Sequence, residues 1–234
     1  MVEAAFYHCK VPLSNYSKDT FIARDMSKFT SAHLPDMSSV DTEQQHWPGN
    51  FILNTMFRGS ELSRNGRQQL FNFLRRSRSA FESYERAREA TLAFLADGQQ
   101  PLRYLDAIGH WEAFLAYAWQ AYELLRGGQI KLFEKRDGTS LDRLNRLHNS
   151  AKHAELLIRR GELDDDTLFA VWLTNDGLQA PECHLTFVEI VEILEELAHW
   201  ADAAQDPATM REKLDSASDQ PHTGGQASGT VNEA

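Results

Sequence analysis

The chain has 234 residues, of which 42% are hydrophobic and 25% are charged, the composition of an ordinary soluble globular protein. Its net charge of −10 argues against a broad basic surface that coats nucleic acid, although a small local basic site is compatible with it. Two cysteines are too few for a disulfide framework, and the sequence has neither a signal-peptide pattern nor a membrane-spanning apolar run. We therefore expect a cytoplasmic protein without membrane association.

Residues 1–58 show weak hydrophobic periodicity and form the first predicted unit. The segment AAFYHCKVPL is compatible with a short strand, and HWPGNF indicates a turn because Pro48 and Gly49 are adjacent. We expect an N-terminal arm, irregular or with short strands, that packs against a helical body.

A long helix is predicted to begin near Ser63 and to continue to Leu95. Its apolar face consists of residues at steps of three and four, namely Leu70, Phe73, Leu74, Phe81, Tyr84, Ala87, Thr91 and Leu95. The opposite face carries Arg64, Arg75, Arg78, Glu82, Arg86 and Glu89. This face is either an RNA-facing basic strip or a solvated face with ion pairs such as Arg78–Glu82. The glutamates dilute the positive field, which favours the solvated face.

A second helix is predicted over residues 102–125, after a break at the segment DGQQP in which Gly98 suits the helix cap. The helix is apolar over most of its circumference, as expected in the middle of a bundle. One polar stripe remains, formed by Arg103, Asp106, His110, Tyr117 and Gln120. These groups are either satisfied internally, which is the commoner arrangement, or turned toward a cleft.

The third predicted helix follows a glycine-broken loop, is capped by Thr139 or Ser140, and ends at Gly161. One side of it is apolar and consists of Leu144, Leu147, Ala151, Ala154 and Ile158. Arg146 and His153 are seven residues apart and project in nearly the same direction, away from that apolar side. His153 is therefore predicted to lie outside the core.

The remaining sequence predicts a β-rich segment, a last helix and a tail. The turn signal Asn175-Asp176-Gly177 indicates a hairpin-like insertion, and the acidic run at residues 164–166 indicates a solvated turn rather than a metal site. Thr186 and Glu189 form a capping box before the helix FVEIVEILEELAHWADAA. The polar, glycine-containing residues 206–234 are predicted to be disordered.

Four long helices with moderate connections predict an all-α fold. We expect an up-and-down bundle of four to five helices over residues 59–205, with an irregular N-terminal arm. A short β-hairpin-like insertion is expected before the last helix.

Several common catalytic patterns are missing from the sequence. There is no phosphate-binding GxxxxGK[ST] loop, no GxGxxG, no HExxH and no GxSxG. Cys9 and Cys183 each neighbour a histidine, but adjacent residues seldom both reach one tetrahedral zinc ion, and CxxC spacing is missing. No metal and no cofactor are therefore expected.

The pair Arg146 and His153 is the main candidate site. An arginine binds a phosphate through its planar fork of donors, and a histidine moves protons near neutral pH. An arginine and a histidine at this spacing more often lie on an ordinary helix surface than in an active site. Arg103 and His110 are also seven residues apart, so the spacing alone is not specific.

The segment SLDRLNRLHNSAKHAE, on a late helix of a small bundle, resembles the HEPN superfamily (higher eukaryotes and prokaryotes nucleotide-binding). The signature of that superfamily is an arginine, four to six residues, and a histidine, which Arg146 and His153 match in its long form. The resemblance implies a helical bundle, a homodimer with facing motifs, and RNA cleavage without a metal ion. Leu147 stands where the family often has a polar residue, so Arg143 and His148 remain an alternative register.

The resulting hypothesis is a HEPN-like endoribonuclease of a toxin or antiviral-defence type, with Arg146 and His153 as catalytic residues. The predicted substrate-binding residues are Asn149, Lys152, Arg143 and His148, and the second-tier candidates are Asp106 and His110. The expected partners are RNA or a nucleotide, a second copy of the chain, and an antitoxin or effector protein. The alternative is a non-catalytic helical module that binds a nucleotide or another protein.

Overall fold

The structure, a computed structural model, describes residues 26, 29, 34–37, 46–57, 62–97, 100–126, 133–163, 168–206 and 210. Three predicted features lie outside these ranges: the strand near the N-terminus, the cap at Gly98 and the acidic turn at residues 164–166. Of the predicted disordered tail, only Asp206 and Met210 are described, and Met210 is buried.

The described chain is mainly helical, which confirms the predicted helical class. Its elements are α1 (Trp47–Phe57), α2 (Arg64–Ala96), α3 (Pro101–Arg126), α4 (Ser140–Lys152), α5 (Ala154–Arg160), β1 (Trp172–Leu173), β2 (Gly177–Ala180), β3 (Cys183–Thr186) and α6 (Phe187–Ala204). The insertion before the last helix is larger than the predicted hairpin, because a third strand joins it to form a small antiparallel sheet.

The helices α2 and α3 form an antiparallel pair at the centre of the core. The Phe94 and Tyr104 rings lie 5.3 Å apart near the connection between the two helices. Farther from it, Trp111 Nε1 donates a 3.1 Å hydrogen bond to the Thr91 hydroxyl, and the Tyr84 ring lies 5.6 Å from Trp111. Later residues of α3 therefore contact earlier residues of α2, as antiparallel helices require. Large aromatic side chains fill the space between the two helices.

The last helix, α6, packs beside α3. The Phe187 ring lies 5.4 Å from the Trp111 ring, and the Tyr122 hydroxyl donates a 3.2 Å hydrogen bond to the Ile193 carbonyl. Because residue numbers rise together along both helices, α6 runs parallel to α3 and antiparallel to α2.

Ser63, Thr139 and Thr186 cap the helices that follow them, and the caps at Thr139 and Thr186 were predicted. The Ser63 and Thr139 side chains each accept a backbone hydrogen bond in the first turn of α2 and α4. Thr186 and Glu189 form both hydrogen bonds of the predicted capping box. Gly161 ends α5 in the left-handed conformation, with φ of 65°.

The three strands pair in the order β1-β2-β3, all antiparallel, with Trp172 opposite Gln179. The predicted turn joins β1 to β2, and Thr174 N donates a 2.9 Å hydrogen bond to the Gly177 carbonyl. At Gly177 the neighbouring strand comes very close: a Cβ there would lie 2.1 Å from the Leu185 carbonyl oxygen. The sheet therefore requires glycine at this position.

The turn predicted at Pro48 and Gly49 is wrong, because both residues lie in the first turn of α1. Proline is tolerated there, since the first backbone N–H groups of a helix have no acceptor within it. Trp47 packs 5.7 Å from the Phe81 ring and donates a 2.7 Å hydrogen bond to Asp202. The helical body therefore includes residues upstream of the predicted boundary at residue 59.

Described residues farther upstream also contact the core. Phe29 is buried, with its ring 5.8 Å from the Phe187 ring. The Tyr84 hydroxyl donates a 2.8 Å hydrogen bond to the Pro35 carbonyl. These contacts hold the described parts of the N-terminal segment against α2 and α6.

The third predicted helix is not continuous, because the chain leaves helical geometry at His153, where φ is −115° and ψ is 30°. Before the break, Leu144 and Leu147 are fully buried. After it, α5 has no buried residue, and Ile158 is 62% exposed. The side that was predicted to be apolar through Ile158 is thus packed against the core only before the break. Beyond the break, the core does not fix the direction of the helix.

Candidate functional site

The predicted motif lies along the outer side of α4. The inner side of this helix buries Leu141, Leu144 and Leu147 against the core. Of the positions between them, Asp142 is also buried, whereas Arg143, Asn145 and Arg146 are partly exposed, which fixes the direction of the candidate side chains. The sequence correctly separated the two sides of α4.

Arg146 is partly exposed, with 33% of its side chain accessible, and contacts the turn between β2 and β3. Its Nη2 donates a 2.6 Å hydrogen bond to the Glu182 carbonyl and lies 3.4 Å from the Glu182 carboxylate. The Glu182 side chain is largely exposed, so water weakens this ion pair. The guanidinium therefore keeps donors that a phosphate can reach. Glu182 was missed by the sequence analysis, since no local pattern links it to Arg146.

Arg143 has a structural role. Its guanidinium donates to the Glu189 carboxylate and to the Gly138 carbonyl, which ties α4 to the first turn of α6. Burial alone would raise the pKa of Glu189, but hydrogen bonds from Thr186 and the charge of Arg143 outweigh it and hold that pKa below its usual range. With its guanidinium engaged in this way, Arg143 is a poor candidate for binding substrate.

His148 is half-buried, and its ring stacks on Trp119 of α3 at a centroid distance of 6.5 Å. Burial lowers the pKa of His148, and the positive charges of Lys152 and His153 lower it further. His148 is therefore mainly neutral at neutral pH. Lys152 and His153 follow His148 by four and five residues, so the three residues lie together at the end of α4.

The lowered pKa of His148 predicts a specific pH dependence of stability. As the pH falls through about 6.5, the unfolded chain protonates this histidine before the folded chain does. The folded state thus loses stability on acidification, and His148→Phe should remove part of that loss. Urea unfolding at about pH 7.5 and about pH 5.5 measures the difference in unfolding free energy between the two pH values. An unchanged difference between the two pH values in His148→Phe would contradict the prediction, and exposed His46→Phe is the matched control.

His153, Lys152 and Asn149 are exposed. His153 lies at the break, where its N–H donates a 3.0 Å hydrogen bond to the Asn149 carbonyl and its carbonyl accepts from Leu156. Asn149 Nδ2 donates a 2.8 Å hydrogen bond to Asn145. The predicted position of His153 outside the core is confirmed.

The second-tier candidates lie apart from this cluster. At ~1.5 Å of rise per residue, His110 lies roughly 13 Å and Asp106 roughly 20 Å along α3 from Trp119, on which His148 stacks. Asp106 is exposed and His110 is half-buried. The structure therefore does not bring these two residues to the end of α4.

Other members of the polar stripe on α3 contact neighbouring residues. Arg103 forms a 2.9 Å ion pair with Asp97, and the Arg76 guanidinium lies 5.3 Å from the centre of the Tyr117 ring. Arg103 is therefore not a second phosphate-binding arginine matched to His110.

A histidine, a carboxylate and a hydroxyl also meet on the sheet, a combination that the sequence analysis did not identify. His184 Nε2 lies 3.2 Å from Asp176 Oδ1 and 3.2 Å from Thr174 Oγ1. Both partners contact the same ring nitrogen, whereas a catalytic triad uses the two nitrogens for different partners. The three residues therefore stabilise the turn between β1 and β2.

Cys183 is a buried thiol rather than a nucleophile or a metal ligand. Burial raises the pKa of Cys183 to about 11, so the thiol keeps its proton at neutral pH. Its Sγ donates a 3.5 Å hydrogen bond to the Arg143 carbonyl. Within the described ranges, no three His, Cys, Asp or Glu side chains are grouped so that they could hold a metal ion.

Comparisons with family models, curated proteins and solved structures give no match to this chain. The resemblance to the HEPN superfamily thus rests on the motif of α4 and the order of the helices. Among the described helices, none has the length and apolar character needed to span a membrane.

Proposed function

We propose that the protein is a HEPN-like endoribonuclease that cleaves RNA without a metal ion, with Arg146 binding phosphate and His153 transferring a proton. The observation that carries this proposal is the break between α4 and α5. It leaves the imidazole of His153 exposed, next to Lys152 and one heptad after Arg146. A proton-transfer group must reach its substrate, and the position of His153 meets that requirement.

The chemistry follows from what these side chains can do. The 2′ oxygen of RNA attacks the adjacent phosphorus as the bond from phosphorus to the 5′ oxygen breaks. His153 accepts the 2′-hydroxyl proton, and solvent protonates the departing 5′ oxygen. The Arg146 guanidinium stabilises the charge that develops on the phosphate oxygens. The products are a 2′,3′-cyclic phosphate and a 5′ hydroxyl.

The neighbouring residues have supporting roles in this proposal. Lys152 adds positive charge where the phosphate binds, and Asn149 orients the substrate. The neutral ring of His148, held on Trp119, forms one wall of the site. A toxin or antiviral-defence role, with an antitoxin or effector partner, is the biological setting that the family resemblance suggests. The same proposal assigns the helices to an up-and-down HEPN-type bundle.

The nature of the products tests this mechanism. Purified protein is incubated with mixed RNAs and, separately, with DNA, in the presence of EDTA. We expect RNA cleavage in EDTA and no DNA cleavage, because DNA lacks the 2′ hydroxyl. Mass spectrometry should find cyclic or 3′ phosphates together with 5′ hydroxyls. Products with 5′ phosphates, or activity that requires added Mg²⁺ or Mn²⁺, would contradict the mechanism.

A second candidate function is a non-catalytic module that binds a nucleotide or another protein. The contact of Arg146 with Glu182 favours it, because the guanidinium already has a carboxylate partner. The same incubation distinguishes the two candidates. RNA that is bound but remains intact would support the binding module.

A further inference from the structure

The helix α1 exposes an apolar face that no described residue covers. Among the described residues, ten large hydrophobic side chains are exposed, and four of them lie on this helix of eleven residues: Ile52, Leu53, Met56 and Phe57. Phe57 is 80% exposed and Met56 is 71% exposed. The helix contains no charged residue. An exposed apolar patch of this density is typical of a protein interface.

A basic flank borders this face on the side of α2. The segment 64–81 contains five arginines and no acidic residue. Arg64, Arg67 and Arg75 are exposed, and none of them forms an ion pair with a described residue. The Phe51 ring of α1 lies 6.2 Å from the Phe71 ring, which is on the same part of α2. The arginines therefore lie beside the apolar face.

An acidic flank borders the opposite side of α1. The helix α6 carries five carboxylates and neither lysine nor arginine. Asp202, which is exposed, accepts a 2.7 Å hydrogen bond from Trp47 of α1. Asp206 directly follows Gln205, which two asparagines of α1 contact.

The polar residues of α1 fix its position between the two flanks. Asn50 donates a 2.7 Å hydrogen bond to Gln205 Oε1, and Asn54 donates a 3.0 Å hydrogen bond to the Gln205 carbonyl. Gln205 directly follows α6, whereas Phe51 faces α2. The surface thus has a basic edge, an apolar centre and an acidic edge, in that order.

We propose that this surface binds a second copy of the chain and forms a two-fold symmetric dimer. A two-fold axis through the exposed face of α1 places apolar side chains on their own copies. The same axis brings the basic edge of each protomer onto the acidic edge of its partner. A surface with this order of charge is complementary to itself, which argues for a second copy rather than for a membrane or a foreign acidic helix.

This dimer differs from the pairing that the family resemblance implies. That pairing uses α4, which packs on α3, the sheet and the start of α6, whereas α1 packs on α2 and the end of α6. The α1 dimer is independent of RNA cleavage, so either proposal can fail without the other.

The molecular mass in solution and a charge reversal test the α1 dimer. Light scattering at micromolar concentration should give twice the monomer mass. Phe57→Glu should yield the monomer with unchanged helicity, because this side chain is exposed. Leu102→Glu, at a 73% exposed position at the start of α3, should leave the dimer intact. Arg67→Glu should raise the dimer Kd by roughly tenfold, because it places a carboxylate against the acidic edge of the partner.

Three results would overturn the proposal. The first is a wild-type protein that stays monomeric throughout the concentration range. A wild-type protein that gains mass only when a foreign protein is added counts as the same result. The second is a dimer that persists in Phe57→Glu. The third is an Arg67→Glu variant with an unchanged dimer Kd, because it would show that the basic edge does not meet an acidic edge of the partner.

Discussion

Replacing His153 with alanine is expected to slow RNA cleavage by about 100- to 10,000-fold, the usual contribution of a general acid or base. The fold should not change, because the side chain is exposed and substitutions at such positions usually alter stability by about 0.5 kcal/mol or less. Cleavage rates on a defined RNA, measured beside the thermal unfolding curve, provide the test. His46→Ala is the matched control, since His46 is also exposed and lies just before α1.

The same assay distinguishes the contribution of the positive charge of Arg146 from that of its planar fork of donors. Arg146→Ala should lower cleavage by a similar factor, whereas Arg146→Lys should retain part of it, because lysine keeps the charge but loses the planar fork. Arg86→Ala, at an exposed position of α2, controls for the loss of a surface arginine. If His153→Ala and Arg146→Ala both cleave at the wild-type rate, neither side chain takes part in catalysis. If both unfold, the pair is structural.

Gly177→Ala is expected to cause the largest loss of stability among single methyl additions to the glycines of the described chain. The added Cβ would lie 2.1 Å from the Leu185 carbonyl oxygen and 2.8 Å from Thr186 Cα. Both are backbone atoms, so the strands must separate to make room, and Thr186 also begins α6. We expect a loss of about 3 kcal/mol, which lowers the Tm by about 6–12 °C for a chain of this size.

Gly109→Ala is the matched control for this substitution. Gly109 lies within α3, and a Cβ there meets no atom within 4 Å. Alanine should therefore stabilise the protein by about 0.5–1 kcal/mol, because glycine loses more conformational entropy in a helix. Urea unfolding of both variants provides the comparison. A Gly177→Ala variant as stable as the wild type would show that β2 and β3 separate at little cost.

The parts of the fold that depend on local sequence were predictable. The bounds of α2, α3 and α6 follow from hydrophobic spacing and from caps such as Ser63 and Thr186, whose hydrogen bonds join residues three positions apart. The helix α1 was not predicted, because Pro48 and Gly49 are frequent in turns as well as in a first helical turn. The strand β3 was missed because it has only four residues and leads directly into α6.

The site was predictable only in part, because its contacts join distant residues. The helical spacing around Arg146 indicated which side of α4 faces outward. It could not reveal that Glu182 approaches this arginine or that Trp119 supports His148, since these pairs lie far apart in sequence. The break at His153 was hidden for a related reason. The break coincides with the loss of packing beyond Lys152, whereas helical periodicity in the sequence continues through that point.

The break between α4 and α5 also divides the chain into regions of different local stability. The seven residues of α5 bury no side chain, so little free energy opposes the opening of their backbone hydrogen bonds. The amides of α2 and α3 are held by the aromatic core and open only when much of the protein unfolds. Residues 154–160 can therefore melt and re-form while the rest of the molecule stays folded. His153 is the hinge between the two regions, so the proposed proton-transfer group can change its direction without disturbing the core.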